Sequence, residues 1–185
     1  MTVRVLFLTL YPEAAASPRY RVHQFLPHLR AAGIAADVAS PLDDARWRRL
    51  TSGAYRAAWY HVYETPARLA QLVRARNYDV VVVQKALTTA HVRGLAGLLR
   101  RGAYRVFYDI DDAVHRAPPH PLRGPWRALA QPRQIDWLAR HSDLVLAGNR
   151  WLAAQMQAAG APRVVHFPTV VDVARFVPAA APPDA

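Results

Sequence analysis

The sequence predicts an α/β domain built on one doubly wound, mostly parallel sheet with helices on both faces. Three observations lead there. Short apolar runs rich in valine, leucine and aromatics recur along the chain as about six strands. Stretches with apolar residues at helical spacing separate them. The run Val80–Gln84 has no polar side until its last residue, as in a strand buried between two layers.

In chain order, Val3–Leu10 reads as the first strand and Tyr11–Ser17 as a loop. Ser17-Pro18 then reads as an N-cap with proline in the first turn. The following helix, Arg19–Ala32, carries Val22, Phe25, Leu26 and Leu29, with a kink at Pro27 and a stop at Gly33. Ile34–Ser40 is the second strand, completing a right-handed βαβ unit. Pro41–Glu64 is less regular, with arginines interleaved among Trp47, Tyr55, Trp59, Tyr60 and Tyr63. That mixture suits a helix packed on the sheet or contact with an anionic membrane surface. Pro66–Arg76 is a helix with Leu69, Leu72 and Val73 as its apolar stripe. Strand Val80–Gln84, helix Leu87–Arg101 and strand Tyr104–Tyr108 follow. Arg116–Pro125, rich in proline and basic residues, reads as a loop over the site. Trp126–His141 is helical with an interruption at Pro132, Leu144–Ala147 is a strand, and Asn149 caps helix Arg150–Ala159. Arg163–Phe167 is the last strand, and residues 179–185 form a Pro/Ala tail or the start of a linker beyond a domain of residues 1–178.

Composition narrows the function classes. The length suits one domain with a sizeable core. With no cysteine, disulfides and thiolate-bound zinc are excluded, and a cytoplasmic location is the default expectation. No apolar stretch is long enough for a transmembrane helix. The formal net charge is +11, and Lys85 is the only lysine. Such a surface attracts phosphate-bearing ligands or an anionic membrane. No nucleic-acid-binding motif accompanies the charge.

The most polar cluster follows the most buried-looking run. Arg105–His115 ends in Asp109, Asp111 and Asp112, with His115 a turn later. An unpaired carboxylate is costly inside a buried strand, so the cluster belongs where the strand emerges. One aspartate would suffice as a helix cap; three with a histidine suggest a site. Parallel polarity puts the Tyr11–Arg21 stretch, Lys85, the aspartates and Asn149 on one rim, the ligand-binding edge of such sheets. Arg19 and Arg21, flanking Tyr20 in the first helical turn, suit an anion or the solvent.

The sequence resembles two families. Asp-Ile-Asp-Asp after a strand resembles the first motif of haloacid-dehalogenase-type phosphatases, with Asp109 as nucleophile, Asp111 as general acid and Mg²⁺ as cofactor. Against it, Ala113 stands where that family has a hydroxyl residue, and no lysine or acidic pair follows. Gly-x-Gly-x-x-Gly, P-loop and Gly-x-Ser-x-Gly patterns are not found.

The second resemblance covers nearly the whole chain. Residues 17–29 (Ser-Pro-Arg-Tyr-Arg-Val-His-Gln-Phe-Leu-Pro-His-Leu), 78–85 (Tyr-Asp-Val-Val-Val-Val-Gln-Lys), 107–115, 143–149 (Asp-Leu-Val-Leu-Ala-Gly-Asn) and 167–172 (Phe-Pro-Thr-Val-Val-Asp) stand in order. Together they resemble the N-terminal half of a glycosyltransferase family 4 enzyme of GT-B fold, in which two Rossmann-like domains face a cleft. The last segment corresponds to a Pro-x-Gly-Val-Asp motif, with Val170 in place of glycine. The resemblance implies retaining sugar transfer from a nucleotide-sugar donor to a glycan, lipid-linked or small-molecule acceptor, without a metal or bound cofactor. It implies an acceptor-holding domain whose donor-binding partner, with its Glu-x₇-Glu motif, is not in this sequence; Glu13 and Glu64 are the only glutamates. The half-enzyme would be nearly inactive alone. On this resemblance Asp109, Asp111, Asp112 and His115 would orient acceptor hydroxyls or assist proton transfer. Arg19 and Arg21 would meet phosphate, and Ser17, Tyr20, Lys85, Asn149, Thr169 and Asp172 would line the substrate cleft. A non-catalytic binding module of the same fold is the third reading.

Overall fold

The computed structural model describes residues 2–52, 57–89, 92–113 and 131–173. Strands β1 (Arg4–Thr9), β2 (Ala35–Ala39), β3 (Val80–Gln84), β4 (Arg105–Ile110), β5 (Leu144–Ala147) and β6 (Val164–His166) form one sheet in the order β2-β1-β3-β4-β5-β6. Every neighbouring pair is parallel. The chain first winds outward from β1 to β2, then returns to β3 and winds the other way. The reversal lies between β1 and β3, where open α/β sheets form their ligand crevice. The α/β class read from the sequence is the one observed.

One face of the sheet is the main core. Leu6, Leu8, Val81, Val83, Val106, Tyr108, Ile110 and Val145 are buried there. They cluster with Leu72 of α4 (Ala57–Arg74), Leu95 and Leu99 of α5 (Arg93–Leu99), Ile135 and Leu138 of α6 (Gln131–His141), and Leu152 and Met156 of α7 (Arg150–Ala158). Burying a leucine-sized side chain contributes about 1.5–3 kcal/mol, so this face carries most of the stability. The opposite face meets α1 (Ala16–Arg21) and α2 (Leu26–Ala31). There Val22, Phe25 and Leu29 face Phe7, Val82 and Phe107 across an apolar groove of about 380 Å³. Helix α3 (Asp44–Thr51) follows β2.

Several boundaries differ from expectation for identifiable reasons. The expected helix Arg19–Ala32 is instead α1, a 3₁₀ turn at His23–Phe25, and α2. The break falls at Val22 (φ −130°), and Pro27 stands in the first turn of α2, where a missing N–H is harmless, rather than kinking a longer helix. The cap of α1 is Ala15, without a side-chain bond; Ser17 lies inside the helix. Gly33 ends α2 with φ +75°, as expected.

Helix α4 runs through Pro66, so the break read there is not made. Its buried side is Glu64, Arg68 and Leu72, whereas Leu69 and Val73 are exposed. The mixed stripe hid this, because the buried positions include two charged residues. Residues 85–89 are not helical, and α5 begins only at Arg93. Pro132 sits at the start of α6. Strand β4 continues through Asp109 to Ile110, two residues past its expected end. His115, the loop at 116–125 and the 179–185 tail lie outside the described residues.

Candidate functional site

The carboxylate rim is built where β1, β3 and β4 end beside α1. Parallel register aligns Thr9 with Gln84 and Gln84 with Asp109, so the three side chains project to one face. Asp111, two residues after Asp109, shares that face. Helix α1 lays Ser17 and Arg21, one turn apart, across the same edge.

Two hydrogen-bonded chains cross the crevice. Gln84 Nε2 donates to Ser17 Oγ at 2.7 Å, and the Ser17 hydroxyl donates to Asp111 Oδ2. Because the amide occupies a lone pair of the serine, its single proton is committed to Asp111. In the second chain, Arg21 Nε donates to Asp109 Oδ2 at 3.1 Å and its Nη2 donates to Asp109 Oδ1. Arg21 Nη1 donates onward to the Phe167 carbonyl at 2.7 Å and to Thr169 Oγ1 at 3.3 Å.

A third pair lies nearer solvent, where Lys85 Nζ meets Asp112 Oδ2 at 2.6 Å. Lys85 adopts φ +70°, a left-handed conformation uncommon for a residue with a Cβ. Its N–H donates to the Asp109 carbonyl at 2.8 Å and its own carbonyl accepts from Tyr108 Oη at 3.0 Å, which hold the turn in place. The ammonium also stands 5.9 Å from the centre of the Tyr11 ring, which packs on Trp47 at 4.7 Å.

The electrostatics follow from burial. Asp109 is 3% exposed, and desolvation raises its carboxyl to about 6 although Arg21 opposes the shift. Burial would lower the Lys85 ammonium, but the bond to Asp112 and the charges of Asp111 and Asp112 outweigh it and the net shift is upward. Burial raises the Tyr11 phenol, with Lys85 pulling the other way.

The rim also holds acceptors without a partner. Thr9 Oγ1, Gln84 Oε1 and Asp111 Oδ1 are buried with none among the described residues. Such atoms are rare in folded proteins, and three on one edge mark a place where hydroxyl or amine donors would be stabilised.

The expected residues therefore separate into groups. Ser17, Lys85, Asp111 and Asp112 converge on the crevice. Asp109 is 3% exposed at the rim end of the apolar groove, with both carboxylate oxygens engaged by Arg21. Arg21 is 4% exposed and wholly engaged, while Arg19 is exposed with its guanidinium 5.6 Å from the Tyr20 ring centre, so the two do not converge on one anion. Asn149 caps α7, accepting from the Leu152 N–H at 2.8 Å, rather than lining the cleft. Thr169 belongs to the Arg21 cluster. Asp172 lies apart, beside Gln24 and His28 in a shallow cleft.

Sequence reading missed Thr9, Gln84 and Arg68. A glutamine ending a run of four valines was the available signal for Gln84. Arg68 is fully buried and donates to the carbonyls of Thr9 and Leu87, each at 2.7 Å, bracing the rim from the core side. Among the described residues, no three His, Asp or Glu side chains converge as a metal-ligand set, and no helix is long and apolar enough to cross a membrane.

No protein-family model and no curated protein matches the chain.

Proposed function

We propose that the chain is the acceptor-side domain of a GT-B glycosyltransferase, transferring a sugar from a nucleotide-sugar donor together with a donor-binding domain. One observation carries the reading. The unpaired acceptors of Gln84 and Asp111 lie just beneath the surface at the strand ends beside the point where strand order reverses, and the cations beside them are already paired. A site of that kind suits an acceptor's hydroxyl groups better than a phosphate. The resemblance of the five ordered motifs to family 4 glycosyltransferases supports the reading, and Asp111 is the residue we assign to orienting the reacting hydroxyl. The haloacid-dehalogenase alternative finds no support, because its nucleophile would be Asp109, both of whose oxygens Arg21 occupies.

Transfer of labelled sugar from a panel of uridine- and guanosine-diphosphate sugars into lipid and glycan extracts tests the proposal, using the complete gene product. Incorporation that Asp111→Asn lowers at least tenfold supports it. Mg²⁺-dependent hydrolysis of p-nitrophenyl phosphate without incorporation would overturn it.

A further inference from the structure

We propose that Arg21 is a positioning residue that latches the segment after β6 to the carboxylate rim, and that proton uptake by Asp109 opens the latch. Arg21 holds three things at once. Its Nε and Nη2 bind Asp109, its Nη1 binds the Phe167 carbonyl and Thr169 Oγ1, and its plane lies 4.8 Å from the Phe167 ring centre. The Phe167 ring in turn packs on Phe25 at 5.7 Å, and Gln24 Nε2 donates to the Val170 carbonyl at 2.8 Å. Residues 167–170 are thus seated on α1 and the following turn, and Arg21 supplies the charged contact. Phe167, Arg21 and Asp109 also close the rim end of the apolar groove, so the latch and the groove mouth are one structure.

The direction of the switch follows from which group loses what. Inside the closed latch, burial raises the Asp109 carboxyl and Arg21 lowers it, with Asp111 adding a smaller upward push. If Arg21 leaves while Asp109 stays within β4, the lowering influence goes and the burial remains. Proton affinity is then higher in the open state, so protonation favours opening. The guanidinium points the same way, because a neutral Asp109 leaves it a buried cation without a counter-ion. The charged groups that act on Asp109 are Arg21 from α1 and Asp111 after β4, and the buried Tyr108 phenol beside it in β4 is the titratable neighbour that its charge raises. Lys85 is engaged by Asp112, and the neighbouring Leu146 of β5 carries no charge. Arg21 is therefore the cation whose position Asp109 controls.

The latch goes beyond the transferase reading and does not need it. If that reading holds, the latched segment is the one leading toward the donor domain, and its seating would be coupled to the acceptor rim.

Two-dimensional amide NMR of the whole chain between pH 5 and pH 8 tests the latch without any activity. The Arg21 Nε–H resonance should be sharp at pH 8 and lost on acidification. Phe167, Thr169 and Val170 should shift together with one midpoint near 6, while Val81–Val83 stay fixed. Asp109→Asn should show the released positions at every pH. Thr169→Val, which removes one Arg21 contact but leaves Asp109 intact, should still show a single shared midpoint, within one unit of the wild type; should Asp109→Asn fail to fold, separate midpoints for Phe167 and Val170 in Thr169→Val would overturn the latch. Segment resonances with no midpoint in this range, or the wild-type midpoint persisting in Asp109→Asn, would overturn the proposal.

Discussion

Gly148 packs directly against the backbone of Asp111: a Cβ at position 148 would stand 3.0 Å from the Asp111 Cα and 3.4 Å from its carbonyl oxygen. The Gly148 N–H also donates to the Ile110 carbonyl at 2.8 Å, so the end of β5 is bonded to the strand that delivers the aspartates. A methyl group here pushes on main chain, which yields less readily than a side chain. Gly148→Ala should destabilise the chain by about 1–3 kcal/mol, as overpacking does. Urea unfolding reads the loss, and a shifted Asp111 amide resonance locates it. An unchanged midpoint would mean that β5 and the rim can separate.

Asp109 gives the stability curve a definite sign. Its folded value of about 6 lies above the ordinary 3.8, so the group contributes most below 3.8 and loses that contribution as pH rises through 6. The shift corresponds to a contribution of about 3 kcal/mol, at 1.36 kcal/mol per unit. Asp109→Asn should remove this component from the pH dependence of unfolding. Equal slopes for the two proteins between pH 4 and 7 would show that Asp109 ionises in the folded chain as it does in the unfolded one.

Arg68 should be among the least replaceable side chains. Its donors satisfy the carbonyls of Thr9 at the end of β1 and of Leu87 in the stretch after β3, and Nη1 adds Gln71 Oε1 at 2.7 Å. Arg68→Met leaves these acceptors buried without donors and should cost about 3–5 kcal/mol. Arg68→Lys should recover less than half, since a single ammonium cannot span them. Chemical denaturation of both variants is the measurement.

Lys85 offers a comparison that separates backbone from side chain. Both Lys85→Gly and Lys85→Ala lose the Asp112 contact, but only glycine relieves the φ of +70°. The glycine variant should be the more stable of the two by about 1 kcal/mol. If alanine equals glycine in thermal unfolding, the turn has relaxed out of the left-handed region.

How much was legible in the sequence differs from element to element. Val80–Gln84 and Leu144–Ala147 were read to the residue, because a continuous apolar run between turn residues has few other uses. Asn149 as a cap, Gly33 as a stop and the α/β alternation were also visible, each being a local effect of a few residues. Helix α4 was misread because its buried side includes Glu64 and Arg68, whose polarity hides them from any apolar count.

The site divides along the same line. Sequence alone determined that Ser17, Lys85, Asp111 and Asp112 share one rim, since strand polarity in a parallel sheet leaves no other arrangement. Only the tertiary structure decided that Asp109 is held apart from them, engaged by Arg21. Asp109 sits inside β4 because Arg21, 88 positions earlier, neutralises it there. Burial and ion pairing depend on what lies alongside in space. A three-aspartate cluster therefore reads alike from the chain, whether its members face a substrate or, as Asp109 does, an arginine.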